Sequence, residues 1–201
     1  LQGHLVQVEA HASQGLPGFT LVGLPDAAVR ESRERVRAAL STCGTAWGER
    51  RVTANLSPAD LPKTGTGFDL SLALAVLGAR QELSLQAIEA MAGTVFIGEL
   101  GLDASVRPVR GVLPAVSCAA AAGVRRIVVP QDCLAEARLV PGIEVRPVAH
   151  LAELITQLGG KVPAGVLALA RHAGQGHAPA TASSPPPAAA DLADVVGQHE
   201  A

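Results

Sequence analysis

Residues 70–79 read LSLALAVLGA, with one serine and no charge. As a helix, this segment is apolar on nearly every side, so it has no face to give to water and must be enclosed by other elements. A bilayer span needs about 20 apolar residues, so the segment is far too short to cross a membrane. It therefore predicts the central, buried helix of a globular domain. The 201 residues allow one domain of ordinary size plus a tail. A domain of about 150 residues buries roughly 68–70% of its unfolded surface and needs neither disulfide nor metal for stability.

The stretch leading into this helix is SPADLPKTGTGFD, Ser57 to Asp69. Gly65 and Gly67 permit a tight turn. Thr66 and Asp69 have capping-box spacing, which predicts that they satisfy the first amides of the helix. Phe68 is expected in the core, and Lys63 on the surface beside Asp60. The letters KTGTG resemble a phosphate loop in the wrong order: such a loop needs Gly-x-x-x-x-Gly-Lys-Ser/Thr, so that the lysine reaches over the phosphates from the helix start. Here the lysine comes first, and Asp69 in the first turn would repel an anion. Nucleotide binding at this loop is not expected.

Around this centre, residues 4–12 alternate and predict a strand. GLPGFTLVGLPD supplies two turns and a second strand. Asp26 is placed to cap AAVRESRERVRAAL, whose Val29, Val36 and Leu40 mark a buried face. RRVTANLS (50–57) predicts a third strand, and SLQAIEAM a short helix capped by Ser84. TVFIGELGLDASVRPV reads as two strands turning near Leu102–Asp103. GVLPAVSCAAAAG predicts a helix closed by Gly123, with Pro114 in its first turn. RRIVVP and IEVRPV predict strands, CLAEARLV a short helix, and AHLAELITQLGG a helix ended by glycines.

Aromatic residues make up 2% of the chain, so the core must be aliphatic, and a net charge of −2 gives no bulk electrostatic pull toward nucleic acid or membrane. Lys63 and Lys161 are the only lysines, which reads as biased composition. Three cysteines without metal spacing read as reduced thiols, and a cytoplasmic location is expected. Residues 160–190 are rich in Ala, Pro, Gly and Ser and predict a flexible linker, with VLALA as a brief helical turn. DLADVVGQHEA (191–201) then reads as the start of another module.

Three blocks carry a resemblance: GLPGFTLVGLPDAAVRESRERVRAAL, NLSPADLPKTGTGFDLSLALAVLGA and GELGLDASVRPVRGVLPA. Together they resemble the amino-terminal domain of the magnesium-chelatase-like AAA+ ATPases of the YifB or ComM family, over nearly all of residues 1–159. The resemblance implies an excised Lon-protease-like domain, with 191–201 leading into the AAA+ module. It implies an α/β fold of the ribosomal-protein-S5 domain-2-like type, a sandwich with a mixed sheet and helices mainly on one face. It also implies a hexameric ATPase, with ATP and Mg2+ held by the AAA+ module, acting in DNA branch migration during natural transformation. This domain itself would need no cofactor and would assist assembly or engage DNA.

The Lon-type serine, carried over by the resemblance, falls on Gly67, and the Lon-type lysine falls on Leu113. Neither residue can serve a serine–lysine dyad, which needs an attacking hydroxyl and a proton acceptor. Ser57, Ser71 and Ser117 are conceivable substitutes, though none has an evident base among His4, His11 and His150. The alternatives are therefore a Lon-like peptidase with an altered site, or a magnesium-chelatase-related subunit. Arg30, Arg33 and Arg37 lie on one helical face, and Lys63, Arg107 and Arg110 extend it as a candidate DNA surface. Glu31 and Glu34 on the same helix support the plainer reading of a solvated face. Glu99 and Asp103 fit a β-turn better than a metal site, and no metal is expected.

Overall fold

A computed structural model describes residues 3–45 and 47–175. It is mixed α/β. Strands β1 (Gln7–Gln14), β2 (Gly18–Val22) and β3 (Arg50–Ser57) form a mixed sheet in the order β1-β3-β2. The β1–β3 pair is antiparallel and the β2–β3 pair parallel. Helix α1 (Ala27–Thr42) connects β2 to β3.

A second, parallel sheet has the order β4-β7-β8, from β4 (Thr94–Phe96), β7 (Arg126–Pro130) and β8 (Glu144–Val148). Between β4 and β7 the chain forms a hairpin, β5 (Glu99–Leu100) with β6 (Val106–Arg107), and then helix α4 (Val112–Ala121). Three strands in this region replace the two that the sequence predicts. The turn near Leu102–Asp103 lies where the sequence predicts it, with Asp103 accepting from both the amide and the hydroxyl of Ser105. The remaining helices are α2 (Asp69–Ala79), α3 (Leu85–Met91), α5 (Leu134–Ala137), α6 (Leu151–Gln157) and α7 (Ala164–Gln175).

The helix without a polar face is indeed central. Leu70, Leu72, Ala73, Val76 and Leu77 of α2 are all fully buried, and α2 packs against β1 and α1. Val29, Val36 and Leu40 of α1 close over it as the spacing predicts. The core is almost wholly aliphatic, as so few aromatics require. A satellite cluster built from Val112, Val116, Ile127 and Val129 joins α4 to the second sheet.

Caps read from the sequence are present at two helices. Asp26 Oδ1 accepts from the Val29 amide at 2.7 Å, and Ser84 Oγ from the Ala87 amide at 3.2 Å. The tail differs from expectation. Residues 164–175 form helix α7, longer than a brief turn, and Ala170 is fully buried. The Ala/Val/Leu content that resembles linker texture supplies an apolar stripe for α6 to pack against. The expected linker beyond 175 and the module start at 191–201 lie outside the described residues. Among the described residues, no helix is long and apolar enough to cross a membrane.

Candidate functional site

The loop before α2 faces an open groove of about 1990 Å³. Thr66, Gly67, Phe68 and Ser71 line one side of it, and Arg110, Pro114 and Cys118, along the head and flank of α4, line another. Gly65 is required here for its backbone: its φ is +86°, the left-handed region that glycine tolerates. Gly67 has no such need. A Cβ added there would meet only Ile97 Cγ2, at an ordinary 3.7 Å.

The capping box does not form. Phe68, not Thr66, occupies the N-cap of α2, with no side-chain cap bond, and it is half-buried, packed against the core on one side and lining the groove on the other. Asp69 instead turns inward. It is fully buried and receives Nε of Arg35 at 2.6 Å, Nη2 of Arg35 at 3.0 Å and the Leu100 amide at 3.1 Å. A buried carboxylate needs partners of this kind, and a planar guanidinium matches it with two parallel bonds. The Asp69 hydrogen bond is the main cause holding the Arg35 pKa above its usual value, against the opposing effect of burial. Sequence reading missed Arg35 because it sits among other arginines and glutamates on α1 and is separated from Asp69 by 34 positions.

Lys63 also departs from expectation. It is buried, 1% exposed, and its Nζ donates to the Pro58 carbonyl rather than pairing with Asp60. Its own backbone ties the loop to the start of α1 through Asp26 N–Lys63 O at 2.9 Å and Lys63 N–Leu24 O at 3.1 Å. A side chain so enclosed cannot contact DNA, so Lys63 leaves the candidate surface.

Of the two positions to which the resemblance assigns the Lon-type dyad, Gly67 faces the groove. Leu113 lies in the first turn of α4, where its amide donates to Glu136 Oε1 at 3.0 Å. The three substitute serines are engaged locally. Ser71 Oγ donates to Phe68 O, Ser117 Oγ donates to Leu113 O, and Ser57 Oγ accepts from Asn55. His150 serves the fold: its Nδ1 accepts from the Ala152 amide as the N-cap of α6, and its Nε2 meets the Asp103 carbonyl at 2.9 Å.

The arginines are only partly brought together. Arg30, Arg33 and Arg37 share the outer side of α1, with Arg30 and Arg37 exposed and Arg33 half-buried. Arg30 Nη1 donates to Pro25 O and Arg33 Nε to Arg30 O. Exposed Arg107 belongs to the β5–β6 hairpin, whose Leu102 carbonyl accepts from Thr42 at the far end of α1. Arg110 lines the groove instead.

Residues 8–133 match the family model described as subunit ChlI of Mg-chelatase. The chain is 38% identical over 195 residues to YifB of Salmonella typhimurium, covering 97% of this chain and 36% of that protein. It is 38% identical over 161 residues to the competence protein ComM of Haemophilus influenzae, covering 80% of this chain and 31% of that one. The chain belongs to the YifB/ComM family of magnesium-chelatase-like AAA+ ATPases. Another relative, an uncharacterized protein of Mycobacterium tuberculosis, is 49% identical over all 201 residues. The chain spans 37% of that relative's length. Outside YifB and ComM there is a weaker likeness, 24% over 128 residues, to Lon protease 2 of Bacillus subtilis, covering 63% of this chain and 22% of that protein.

Proposed function

We propose that this YifB/ComM-family chain is a non-catalytic accessory domain on a Lon-protease-like scaffold of the S5 domain-2-like type. The observation that carries the reading is the head of α2, where Gly67, the position to which the resemblance assigns the Lon-type nucleophile, faces the groove without a side chain. The hydroxyls of Ser71 and Ser117, which donate to the Phe68 and Leu113 carbonyls, support it, because an attacking hydroxyl must give its proton to a base. The likeness to a Lon protease supports the scaffold. In the whole protein the domain would serve a hexameric, cytoplasmic ATPase whose ATP and Mg2+ are held by a separate module.

Its own role would be to engage DNA through the α1 face, Arg30, Arg33 and Arg37, with Arg107 beyond the end of that helix. Guanidinium groups suit phosphate oxygens by geometry and permanent charge. Fluorescence anisotropy of labelled duplex and single-stranded DNA, over a salt series, tests this directly. Binding that weakens with salt, and that is lost when Arg30, Arg33 and Arg37 all become alanine, is the expected result. Unchanged binding in the triple variant would reject the arginine face and leave ring assembly as the domain's role. Labelling by a serine-directed fluorophosphonate would reject the non-catalytic reading.

A further inference from the structure

The three arginines of the α1 face are not equivalent. Arg30 and Arg33 each spend a donor on a backbone carbonyl. Arg37 is exposed, and among the described residues no hydrogen bond or ion pair involves its guanidinium. Among the described residues, its guanidinium carbon lies over the Trp47 ring, 5.6 Å from the centroid. A cation–π contact of this kind restricts the side chain without using its N–H donors, so less freedom is lost when it meets an anion.

Trp47 is held through its ring. Its indole N–H is buried and has no acceptor among the described residues. The ring is positioned by Phe19, centroids 5.3 Å apart, and by a second guanidinium, Arg80, 5.9 Å from the centroid. Arg80 is largely buried and pairs with Glu82 at 2.6 Å, so Arg37 is the exposed cation at this ring. No local pattern hints at this, because Trp47 lies outside α1 and beyond its C-terminal end.

We infer that Arg37, held in place by Trp47, is the principal phosphodiester contact of the α1 face, and that Trp47 is its positioning residue. This rests on the DNA-engaging reading above. It separates from that reading because Trp47 is the chain's only tryptophan, so its emission reports this one place. The experiment titrates the 201-residue chain with a single-stranded and a duplex oligonucleotide of about 20 nucleotides per strand, long enough to span several phosphate contacts. Tryptophan emission and labelled-DNA anisotropy are followed in parallel.

The expected result is a DNA-dependent, salt-reversible change in tryptophan emission that saturates with the anisotropy. Arg37→Ala should weaken binding about tenfold, against about threefold or less for Arg30→Ala or Arg33→Ala. The log–log salt slope should fall by about one in Arg37→Ala, as for loss of one phosphate contact. Trp47→Leu should weaken binding several-fold with the slope unchanged, and Trp47→Phe, which keeps a ring, should recover most of it. Anisotropy that reports binding while emission stays constant and Arg37→Ala binds like the parent overturns this inference and leaves the general reading standing. A steeper loss for Arg30→Ala than for Arg37→Ala overturns it equally. No binding by anisotropy at low salt overturns both.

Discussion

Arg35 on α1 and Asp69 at the head of α2 are joined by two hydrogen bonds, of 2.6 and 3.0 Å, with Asp69 fully buried. The same carboxylate accepts from Leu100 of the β5–β6 hairpin, and the same Arg35 guanidinium donates to Ala28 O and Ser32 Oγ. One ion pair therefore fixes two helices and a hairpin around the loop that carries Gly67. Removing one partner from such a pair leaves a charge uncompensated, typically costing about 3–5 kcal/mol. Asp69→Asn should destabilise the fold by about 3 kcal/mol, read from the urea midpoint. The double variant Arg35→Met, Asp69→Asn should lose less than the two single losses added. Strict additivity would mean that the pair carries no coupling.

Burial pushes the Cys43 thiol up to about 12, whereas an unfolded thiol titrates near about 8.5. Between those values the unfolded chain has released the proton and the folded chain has kept it. Stability is therefore full below about pH 8.5 and falls as pH rises toward about 12, because the folded state binds more protons. Cys43→Ala should remove this slope, on the order of 1 kcal/mol per pH unit. Urea midpoints of both proteins from about pH 8 to about pH 10.5, a range that brackets the unfolded thiol's titration, measure the difference. Parallel curves would refute the assignment.

His150 accepts from the Ala152 amide through Nδ1, so its ring proton sits on Nε2 and is donated to the Asp103 carbonyl. The imidazole thus caps α6 and docks the β5–β6 turn onto it. His150→Ala should cost about 0.5–2 kcal/mol, the range for loss of an N-cap. His150→Asn, which keeps a capping acceptor, should recover part of that cost in thermal denaturation. Equal losses for the two variants would deny the capping role.

Gly67→Ser should fold normally, since the added Cβ meets only Ile97 at 3.7 Å and the backbone is not left-handed there. It should change stability by less than about 1 kcal/mol, as substitutions clear of the core usually do. It should also remain unlabelled by a fluorophosphonate if Leu113 takes the place of the Lon-type lysine, as the resemblance implies. Labelling of Gly67→Ser would reveal a base in the groove supplied from some position other than 113.

Much of the framework is legible along the chain. Asp26 and Ser84 cap their helices because capping is decided within three or four residues, and the buried face of α1 follows from its own spacing. The site is less legible. Thr66 and Asp69 satisfy the local capping pattern, yet Asp69 takes Arg35 instead, since a bidentate charged partner 34 positions away outweighs a local amide bond. Lys63 has the composition of a surface residue, and its burial comes from the loop folding against Leu24 and Asp26. Helix α7 is hidden because alanine-rich sequence serves a linker and a packed helix alike, and only the presence of α6 distinguishes them.

Residue type and short-range spacing dictate that an all-apolar helix lies at the centre, that the core is aliphatic, and that position 67 has no side-chain atom with which to attack anything. The chain carries these properties before it folds. Tertiary packing was needed to assign Asp69 to Arg35, to enclose Lys63, and to set Trp47 under Arg37 beyond the end of its helix. Those partners lie far apart along the chain or in different elements. Which buried charge meets which, and which arginine keeps its donors open to solvent, depends on contacts that no local pattern encodes.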